Sequence, residues 1–305
     1  MAVEFLSIGI PTRNRAGYLR DVLEAFERQI QQAAVPLDAV RLYVSDNAST
    51  DQTPEVVKEF AARLPHLSYS RNPENIGADP NFQKCLRLAR GRFCWLFGDD
   101  DLLSPGALEY ILRTLRAQET GLSLLLSLDT NYPAKLTRPA RFTTFRDFAA
   151  ECARTNLHLL AEHSLITSNI YRPELFDHAF SEARRNTFYG HMYGLVHGLI
   201  KSGGAVYLTD FPVFTVRARR AAAVDGEWPE IIEKAWMEYL AWMKQVLDLP
   251  ALDPTAIVGQ ARAALWRKIR RNPFKYVWNN LPALVQPKAY AWFFRRVLYM
   301  NRRKR

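Results

Sequence analysis

The sequence predicts an α/β fold with a mostly parallel sheet flanked by helices, followed by a C-terminal helical extension. In the first half of the chain, short apolar runs alternate with segments whose apolar residues recur at helical spacing. This alternation is typical of a parallel sheet covered by helices on both faces. From Trp228 onward only the helical pattern continues. The 305 residues are 48% hydrophobic and 24% charged, which allows a sizeable core and excludes disordered and fibrous proteins.

The first half of the chain begins with a strand and a helix. Residues 3–10 form an apolar run that Pro11 ends, and between residues 16 and 31 the apolar side chains from Leu19 to Ile30 repeat at helical spacing. The same two patterns then follow in turn. The further predicted strands are 40–45, 67–70 and 93–97, and the further predicted helices are 51–64, 80–89 and 105–117.

The second half of the chain is less regular, and its elements follow from apolar runs and from proline breaks. The predicted strands are 123–128, 165–171, 205–208 and 213–217, and the predicted helices between them are 145–160 and 187–201. The C-terminal extension contains predicted helices at 228–247, 255–271 and 287–301.

Polar residues follow each of the first four predicted strands. The carboxyl ends of parallel strands meet at one edge of the sheet, where α/β proteins bind their ligands. The polar segments are 11–14, 45–51, 72–77 and 98–101. The sequence therefore predicts a binding cleft at this edge.

Three consecutive carboxylates, Asp99, Asp100 and Asp101, stand at the end of the fourth strand. Like charges this close repel each other unless a cation lies between them. Carboxylate oxygens suit Mg²⁺ or Mn²⁺, and a site with one or two carboxylates leaves room for phosphates. The alternative is an exposed acidic turn before the helix that begins near Pro105.

The positive charge of the protein lies at its C-terminus. Residues 254–305 contain 13 Lys and Arg, nine aromatic residues and no acid, and the rest of the chain has 28 basic and 31 acidic residues. Basic side chains interleaved with aromatics favour an anionic membrane surface. A solvated basic face is the alternative. Nucleic acid is not an expected partner, because no nucleic-acid-binding motif is present.

The cysteines and the N-terminus indicate where the protein works. Cys85, Cys94 and Cys152 cannot all pair with each other, which favours a reduced, cytoplasmic setting. The N-terminal segment lacks the features of a signal peptide. No uncharged apolar run reaches the ~18 residues needed to cross a bilayer. We therefore expect a cytoplasmic protein held peripherally at the inner face of the cell membrane.

Four motifs in order carry a family resemblance. They are SIGIPTRNR at residues 7–15, VSDNASTD at 44–51, Asn75-Ile76-Gly77 with Asn81, and WLFGDDD at 95–101. From Leu6 to about Leu103, and more weakly to Arg217, the chain resembles a family 2 glycosyltransferase of the GT-A fold. The third and fourth motifs are most similar to bacterial enzymes that add sugars to O-antigen and other surface glycans, including abequosyltransferases.

The resemblance implies roles for individual residues. Pro11, Thr12 and Arg13 would line the nucleotide pocket, and Asp46 would accept a hydrogen bond from the base. Asn75 and Gly77 would let the backbone approach the sugar nucleotide. Asp99 and Asp101 would form the metal-binding DxD motif, with Asp101 as the direct ligand to Mn²⁺ or Mg²⁺, and Asp99 and Asp100 would also contact the donor. Arg217 would steady the diphosphate as a fixed cation. The alternative for Asp46 and Gly77 is a purely structural role in turns.

The resemblance further implies inversion at the anomeric carbon, with a general base on the acceptor side. In most relatives this base is an acid at the start of a helix, but residues 188–195 contain no carboxylate. His191 stands at that place, and an ordinary histidine can accept a proton at neutral pH. The alternative is that His191 packs structurally or binds the diphosphate or metal. Asp210 and Glu182 are then the fallback bases.

These implications combine into one functional hypothesis. We expect a nucleotide-sugar-binding part at residues 1–118, an acceptor-binding part at 119–220 and a basic, aromatic-rich helical region at 221–305. The protein would move a sugar from a nucleoside-diphosphate sugar to a lipid-linked glycan in surface polysaccharide synthesis. The alternative is a non-catalytic protein of the same fold that binds a sugar nucleotide or a glycan.

Overall fold

A computed structural model describes residues 4–32, 39–118, 123–129, 139–155, 159–160, 163–184, 187–217 and 228–259. The predicted helix at 287–301, the helix at 255–271 beyond residue 259, and most of the basic C-terminal segment lie outside the described residues.

The strands and helices alternate through the first half of the chain, as the sequence predicts. The strands are β1 (Leu6–Thr12), β2 (Val40–Asp46), β3 (Leu67–Arg71), β4 (Phe93–Leu96), β5 (Asp101–Leu103), β6 (Leu124–Asp129), β7 (Ala140–Phe142), β8 (Asn169–Tyr171) and β9 (Val206–Val216). The helices are α1 (Ala16–Gln32), α2 (Thr53–Ala61), α3 (Ala78–Leu88), α4 (Ala107–Ala117), α5 (Phe145–Thr155), α6 (His178–Ala183), α7 (Gly190–Ser202) and α8 (Trp228–Val246).

All of these strands belong to one sheet, with the order β3-β2-β1-β4-β8-β6-β9-β5 and with β7 paired to β9. β3, β2, β1 and β4 are parallel to one another, and β6 is parallel to β9. The remaining pairs are antiparallel, and each of them includes β8 or β9. The predicted fold, a mostly parallel sheet flanked by helices, is confirmed.

The first strand differs from its prediction because it continues through Pro11 to Thr12. Along β1, the N–H groups of alternate residues point toward β2 or toward β4, and Pro11 lies at a position that faces β4. β4 pairs with β1 only as far as Gly9 opposite Leu96. The missing N–H of Pro11 therefore breaks no ladder hydrogen bond.

From β5 onward the strands differ from those that the sequence patterns predicted. Residues 101–103 form β5 along the end of β9, with Asp101 opposite Val216. The two strands predicted at 205–208 and 213–217 are a single strand, β9. The predicted strand at 165–171 is a 3₁₀ turn at Ile166–Ser168 followed by the short β8.

The core consists of two apolar clusters, one on each face of the sheet. One lies under α1, α2 and α4 and includes Phe26, Trp95 and Phe97. The other lies under α3, α5, α7 and α8. The three cysteines are buried and unpaired. Within the described ranges, no helix combines the length and the hydrophobicity that a membrane span requires.

Phe26 is the aromatic centre of the first cluster, and its ring meets Trp95 and Phe97 edge-on at 6.2 and 5.1 Å. We expect Phe26→Ala to lower the free energy of unfolding by about 3–5 kcal/mol, because it removes a fully buried ring and leaves a cavity. Val246→Ala, at an exposed position, should change stability by no more than about 0.5 kcal/mol. Urea unfolding measures both, and equal effects would contradict the assignment of Phe26 to the core.

Candidate active site

The candidate site lies where the strand order reverses. From β1 the chain builds the sheet outward to β2 and β3 on one side, and then returns to add β4 on the other side. Because β4 separates from β1 after Gly9, the two strands leave a crevice between their carboxyl ends. Ligands bind at such switch points in α/β sheets. The loop with the three aspartates leaves β4 at this crevice.

The aspartate loop is neutralised in part by Arg15, which directly precedes α1. The Arg15 guanidinium lies 2.8 Å from Asp99 Oδ1 and 3.1 Å from Asp100 Oδ2. Burial raises the pKa of Asp99 to about 6, although Arg15 and the Thr12 hydroxyl act in the opposite direction. Asp99 is therefore a carboxylate whose charge is only partly compensated by the protein. A further cation would relieve this imbalance.

Thr167 positions Asp101, the third carboxylate. The Thr167 hydroxyl donates to Asp101 Oδ2 and accepts from the Gly98 N–H at 2.9 Å. The Thr167 carbonyl accepts from the indole of the buried Trp95 at 2.8 Å. A Cβ at Gly98 would lie 3.0 Å from Asp101 Oδ2 and 3.3 Å from Asp100 Oδ1 and Thr167 Oγ1. Oxygen atoms thus converge on Gly98, and only a glycine leaves them room.

Asn47 organises the loops that follow β2 and β3. Its side-chain N–H groups donate to Asn75 Oδ1 at 2.7 Å and to the Gly77 carbonyl at 3.1 Å. Its Oδ1 accepts from Asn72 Nδ2 and from the Ile76 N–H. Gly77 has a φ of +90°, which side chains disfavour. The predicted donor residues Asn75 and Gly77 are therefore held at the cleft by one buried amide.

Asp46 lies beneath the same loops and is fully buried. Its Oδ1 accepts from the Ser49 N–H at 2.9 Å, and its Oδ2 accepts from the Tyr69 hydroxyl at 2.6 Å, with Arg71 at 3.4 Å. Tyr69 is 38% exposed and covers the carboxylate. Asp46 thus closes its own loop in this structure, and its predicted contact with a base requires Tyr69 to move aside.

Four further predicted residues lie at the ends of β1 and β9. Pro11 and Thr12 end β1 and are buried, and Arg13 is exposed just beyond them. Arg217 follows β9 and donates to the backbone carbonyls of Asp100 at 2.8 Å and Tyr18 at 3.1 Å. It also pairs with Asp21. Arg217 therefore holds the backbone of the aspartate loop at Asp100.

His191 lies in the first turn of α7 and is only 6% exposed. Its ring meets Phe82 edge-on at 5.2 Å and stacks against Tyr189 at 6.4 Å. Among the residues that the structure describes, neither ring nitrogen has a hydrogen-bond partner. Burial, with a smaller contribution from His163, lowers the pKa of His191 to about 3. The expectation that this residue titrates near neutrality is wrong, because the apolar surroundings penalise its charged form.

The segment from Thr167 to Asn169 connects His191 with the aspartates. Thr167 bonds to Asp101, and two residues later the Asn169 amide lies 3.8 Å from the sulfur of Met192, the neighbour of His191. His191 and the aspartate loop therefore flank the same short stretch of chain.

The two fallback bases lie elsewhere. Asp210 accepts from the Tyr110 hydroxyl at 2.8 Å. It precedes Val216, the partner of Asp101, by six residues of β9, which is about 20 Å along a strand. Glu182 pairs with Arg87 at the surface, with half of its side chain exposed. The structure brings neither residue to the aspartates.

The sequence pattern of the family described as Glycosyl transferase family 2 matches residues 7–172, more than half of the chain. The chain belongs to the family 2 glycosyltransferases. This match includes the four motifs and the aspartate loop, and it extends to β8.

Individual relatives of this family 2 member agree with the assignment. The chain is 37% identical to the abequosyltransferase RfbV of Salmonella typhimurium over 114 residues. This matched stretch covers 37% of this chain and 33% of that protein. The matched stretch thus spans about a third of the length of this curated relative.

Solved structures share the fold at low identity. TarS of S. aureus is 18% identical with a TM-score of 0.55, over 88% of this chain and 74% of that chain. TarS has also been crystallised with UDP-GlcNAc. The mannosyltransferase PcManGT of Pyrobaculum calidifontis, in complex with GDP-Man and Mn²⁺, is 16% identical with a TM-score of 0.56, over 96% and 84% of the chains. These likenesses confirm the GT-A-type fold.

The aspartate loop of this family 2 member fits a hard divalent cation. In the described part of the chain, no three His, Cys, Asp or Glu side chains converge as a complete metal-ligand set. Mg²⁺ and Mn²⁺ sites that act on phosphates need only one or two carboxylates, because water and phosphate oxygens supply the rest. Asp99 and Asp101, two carboxylates buried at the end of β4, would provide such a partial set.

Several residues that shape the site were not singled out from the sequence. Arg15 and Asn47 lie inside two of the motifs, so their position in those motifs was a usable signal. Tyr69 lies in β3 and showed no signal beyond an ordinary strand pattern. Thr167 could not be found from the sequence, because its contact with Asp101 joins residues 66 positions apart.

Burial of a neutral His191 predicts a loss of stability at mildly acidic pH. An unfolded chain protonates this histidine near pH 6.5, whereas the folded protein keeps it neutral down to about pH 3. The unfolded state thus binds the proton first, and the free energy of unfolding falls as pH drops below about 6.5. Between pH 7 and pH 5 we expect the wild type to lose about 1–2 kcal/mol more than His191→Gln in urea unfolding. An equal loss in both proteins would show that His191 is solvated.

Proposed function

We propose that the protein is a glycosyltransferase that moves a sugar, with inversion, from a nucleoside-diphosphate sugar to a glycan acceptor. The observation that carries the proposal is the set of three carboxylates at the crevice between β1 and β4, held by Arg15 and Thr167. The family membership and the resemblance to an abequosyltransferase support it. The donors bound to TarS and PcManGT are of this chemical class.

The donor is proposed to lie across the loops that Asn47 holds together. Asn75 and Gly77 present backbone close to the crevice, and the exposed Arg13 is placed to meet a phosphate. Pro11 and Thr12 form the floor, and Asp46 recognises the base once Tyr69 has moved aside. Arg217 is proposed to hold the loop through the backbone carbonyl of Asp100 rather than to bind the diphosphate directly.

Asp99 and Asp101 are the residues proposed to hold Mn²⁺ or Mg²⁺. When bound, the cation acts as a Lewis acid that stabilises the negative charge of the departing diphosphate. Arg15 keeps Asp99 and Asp100 in place and supplies the fixed positive charge of the loop. Thr167 keeps Asp101 oriented through its hydroxyl.

His191 is proposed to receive the acceptor hydroxyl. Both ring nitrogens are buried in this structure, so Phe82 or Tyr189 must first move aside. A neutral imidazole nitrogen without a protein partner can then accept a hydrogen bond from that hydroxyl and afterwards its proton. Its low pKa makes the protonated ring short-lived, so proton transfer must be concerted with attack on the anomeric carbon. The missing carboxylate at this place also keeps open the second candidate, a binding protein without catalysis.

The experiment that tests the function measures nucleoside-diphosphate release from a panel of UDP-, GDP-, CDP- and dTDP-sugars, with and without Mn²⁺. Thermal shift against the free nucleoside diphosphates identifies the preferred base, because a bound ligand raises stability by mass action. Nucleoside-diphosphate release that is faster than the spontaneous hydrolysis of the donor supports an enzyme. Binding without release, with acceptors present, would favour the non-catalytic alternative.

Asp101→Asn tests the proposed metal dependence. The change removes one anionic ligand at nearly constant shape, and we expect turnover to fall by about 100-fold or more, with weaker Mn²⁺ binding by calorimetry. Asp253→Asn, at an exposed turn in which Asp253 accepts from the Thr255 N–H, is the matched control and should leave both unchanged. Full activity of the wild type in EDTA would contradict metal dependence.

The acceptor is proposed to be lipid-linked and presented at the inner face of the cell membrane. The support is the charge distribution of the sequence, with all net positive charge after Asp253 and nine aromatic residues in the same segment. The division at residues 118 and 220 into donor, acceptor and C-terminal parts belongs to the same proposal.

Removal of the residues after Val285 tests the membrane proposal. We expect the full-length protein to float with liposomes that contain anionic lipid at low salt and to be released at high salt, because screening weakens surface charge attraction. The truncated protein should not float, and it should keep donor hydrolysis while losing transfer to a lipid-linked acceptor. A full-length protein that ignores these liposomes at low salt would leave the segment as a solvated basic face.

A further inference from the structure

The carboxylate of Asp79 in the first turn of α3 holds the turn from which α7 begins. Asp79 is 3% exposed, and its Oδ2 accepts from the Thr187 N–H at 3.0 Å. A Cβ at Gly190 would lie 3.4 Å from the same oxygen. One buried carboxylate of α3 thus bonds to the start of the turn that precedes His191 and lies close to its end at Gly190.

The turn that Asp79 holds is conformationally constrained. Phe188 has a φ of +61°, a left-handed conformation that is costly for a bulky side chain. A Cβ at Gly190 would lie 3.2 Å from the carbonyl oxygens of Ser181 and Arg184. The Thr187 hydroxyl donates to the Arg184 carbonyl at 2.7 Å. Such a turn persists only where its surroundings fix its conformation. The hydrogen bond to Asp79 joins this turn to α3.

The first turn of α3 is also hydrogen-bonded to the loops that are proposed to bind the donor. Gly77, which precedes α3, accepts through its carbonyl from Asn47 Nδ2 at 3.1 Å. Asn81, one helical turn later, accepts from Ser45 Oγ at 2.8 Å and donates to the Ser45 carbonyl at 3.0 Å. The first turn of α3 is therefore fixed to the donor loops on one side and to the start of α7 on the other.

We propose that Asp79 is a positioning residue that sets His191 for transfer and connects its position to the state of the donor loop. Asp79 acts through the Thr187–Gly190 turn and does not itself touch the reacting atoms. The proposal rests on the glycosyltransferase function proposed above. The conformational order of the Thr187–Gly190 turn can be measured without catalysis.

Kinetic comparison of three variants tests the positioning role. Asp79→Ala removes the acceptor of the Thr187 N–H, and a displacement of His191 by about 1 Å should lower kcat for transfer about 10- to 100-fold, with the donor KM changed less than about threefold. Asp79→Asn keeps an oxygen that can accept the same bond and should restore kcat to within about threefold of the wild type. Asp147→Ala is the matched control. It removes the same type of bond, from the Thr144 N–H to Asp147 Oδ2 at 3.0 Å, at the exposed start of α5, and should leave kcat unchanged.

A double-mutant cycle separates positioning from general destabilisation. If Asp79 acts through His191, Asp79→Ala should change kcat by less than about twofold in a His191→Ala background, although it is costly alone. Independent, multiplicative losses would overturn the proposal. Thermal unfolding of each variant controls for folding, and the Asp79→Asn variant keeps the test decisive if Asp79→Ala does not fold.

Hydrogen exchange tests the same link without activity. In the wild type, Mn²⁺ with the nucleoside diphosphate selected by thermal shift should slow exchange of the amides of residues 187–191. In Asp79→Ala these amides should exchange faster and no longer respond, while those of α2, whose buried residues belong to the other core cluster, stay unchanged. Unaltered protection of residues 187–191 in Asp79→Ala would overturn the proposal. Absence of sugar transfer in the wild type, with the exchange result as expected, would instead overturn the proposed function alone.

Discussion

Three adjacent carboxylates at the end of a buried strand are the feature on which the rest of the site depends. Their mutual repulsion has to be compensated, and the protein compensates it incompletely. Arg15 bridges Asp99 and Asp100, and Thr167 binds Asp101. Burial, and to a smaller extent the charge of Asp100, raises the pKa of Asp99 to about 6 in spite of Arg15. The fold thus supports a concentrated negative charge at the crevice between β1 and β4 and leaves part of it for a ligand to neutralise.

The second half of the chain is organised around the same loop. β5 begins at Asp101 and pairs with the end of β9, so Asp101 is part of the sheet rather than of a free loop. Arg217, the next residue after β9, binds the backbone of Asp100. Thr167 reaches Asp101 from the turn before β8. The later part of the chain thus holds the aspartate loop at three points.

Local patterns were sufficient to predict the first half of the fold and the position of the cleft, because β1 to β4 are apolar runs between amphipathic helices. They were insufficient for β5 and β7, since three-residue strands contain too few side chains to show a period and form only because β9 offers an edge. The position of the three aspartates at the end of β4 could be predicted from the apolar run that precedes them. The contact of Thr167 with Asp101 and the burial of His191 depend on tertiary packing, and no neighbouring residue in the sequence reveals them.

The burial of position 191 also explains why a histidine is compatible with this place. An ionised carboxylate that is more than nine-tenths buried between Phe82 and Tyr189, without a hydrogen-bond donor, would cost several kcal/mol in folding free energy. A neutral imidazole avoids that cost and still presents a lone pair. The surroundings of the side chain at position 191 therefore favour an uncharged acceptor of hydrogen bonds over a carboxylate.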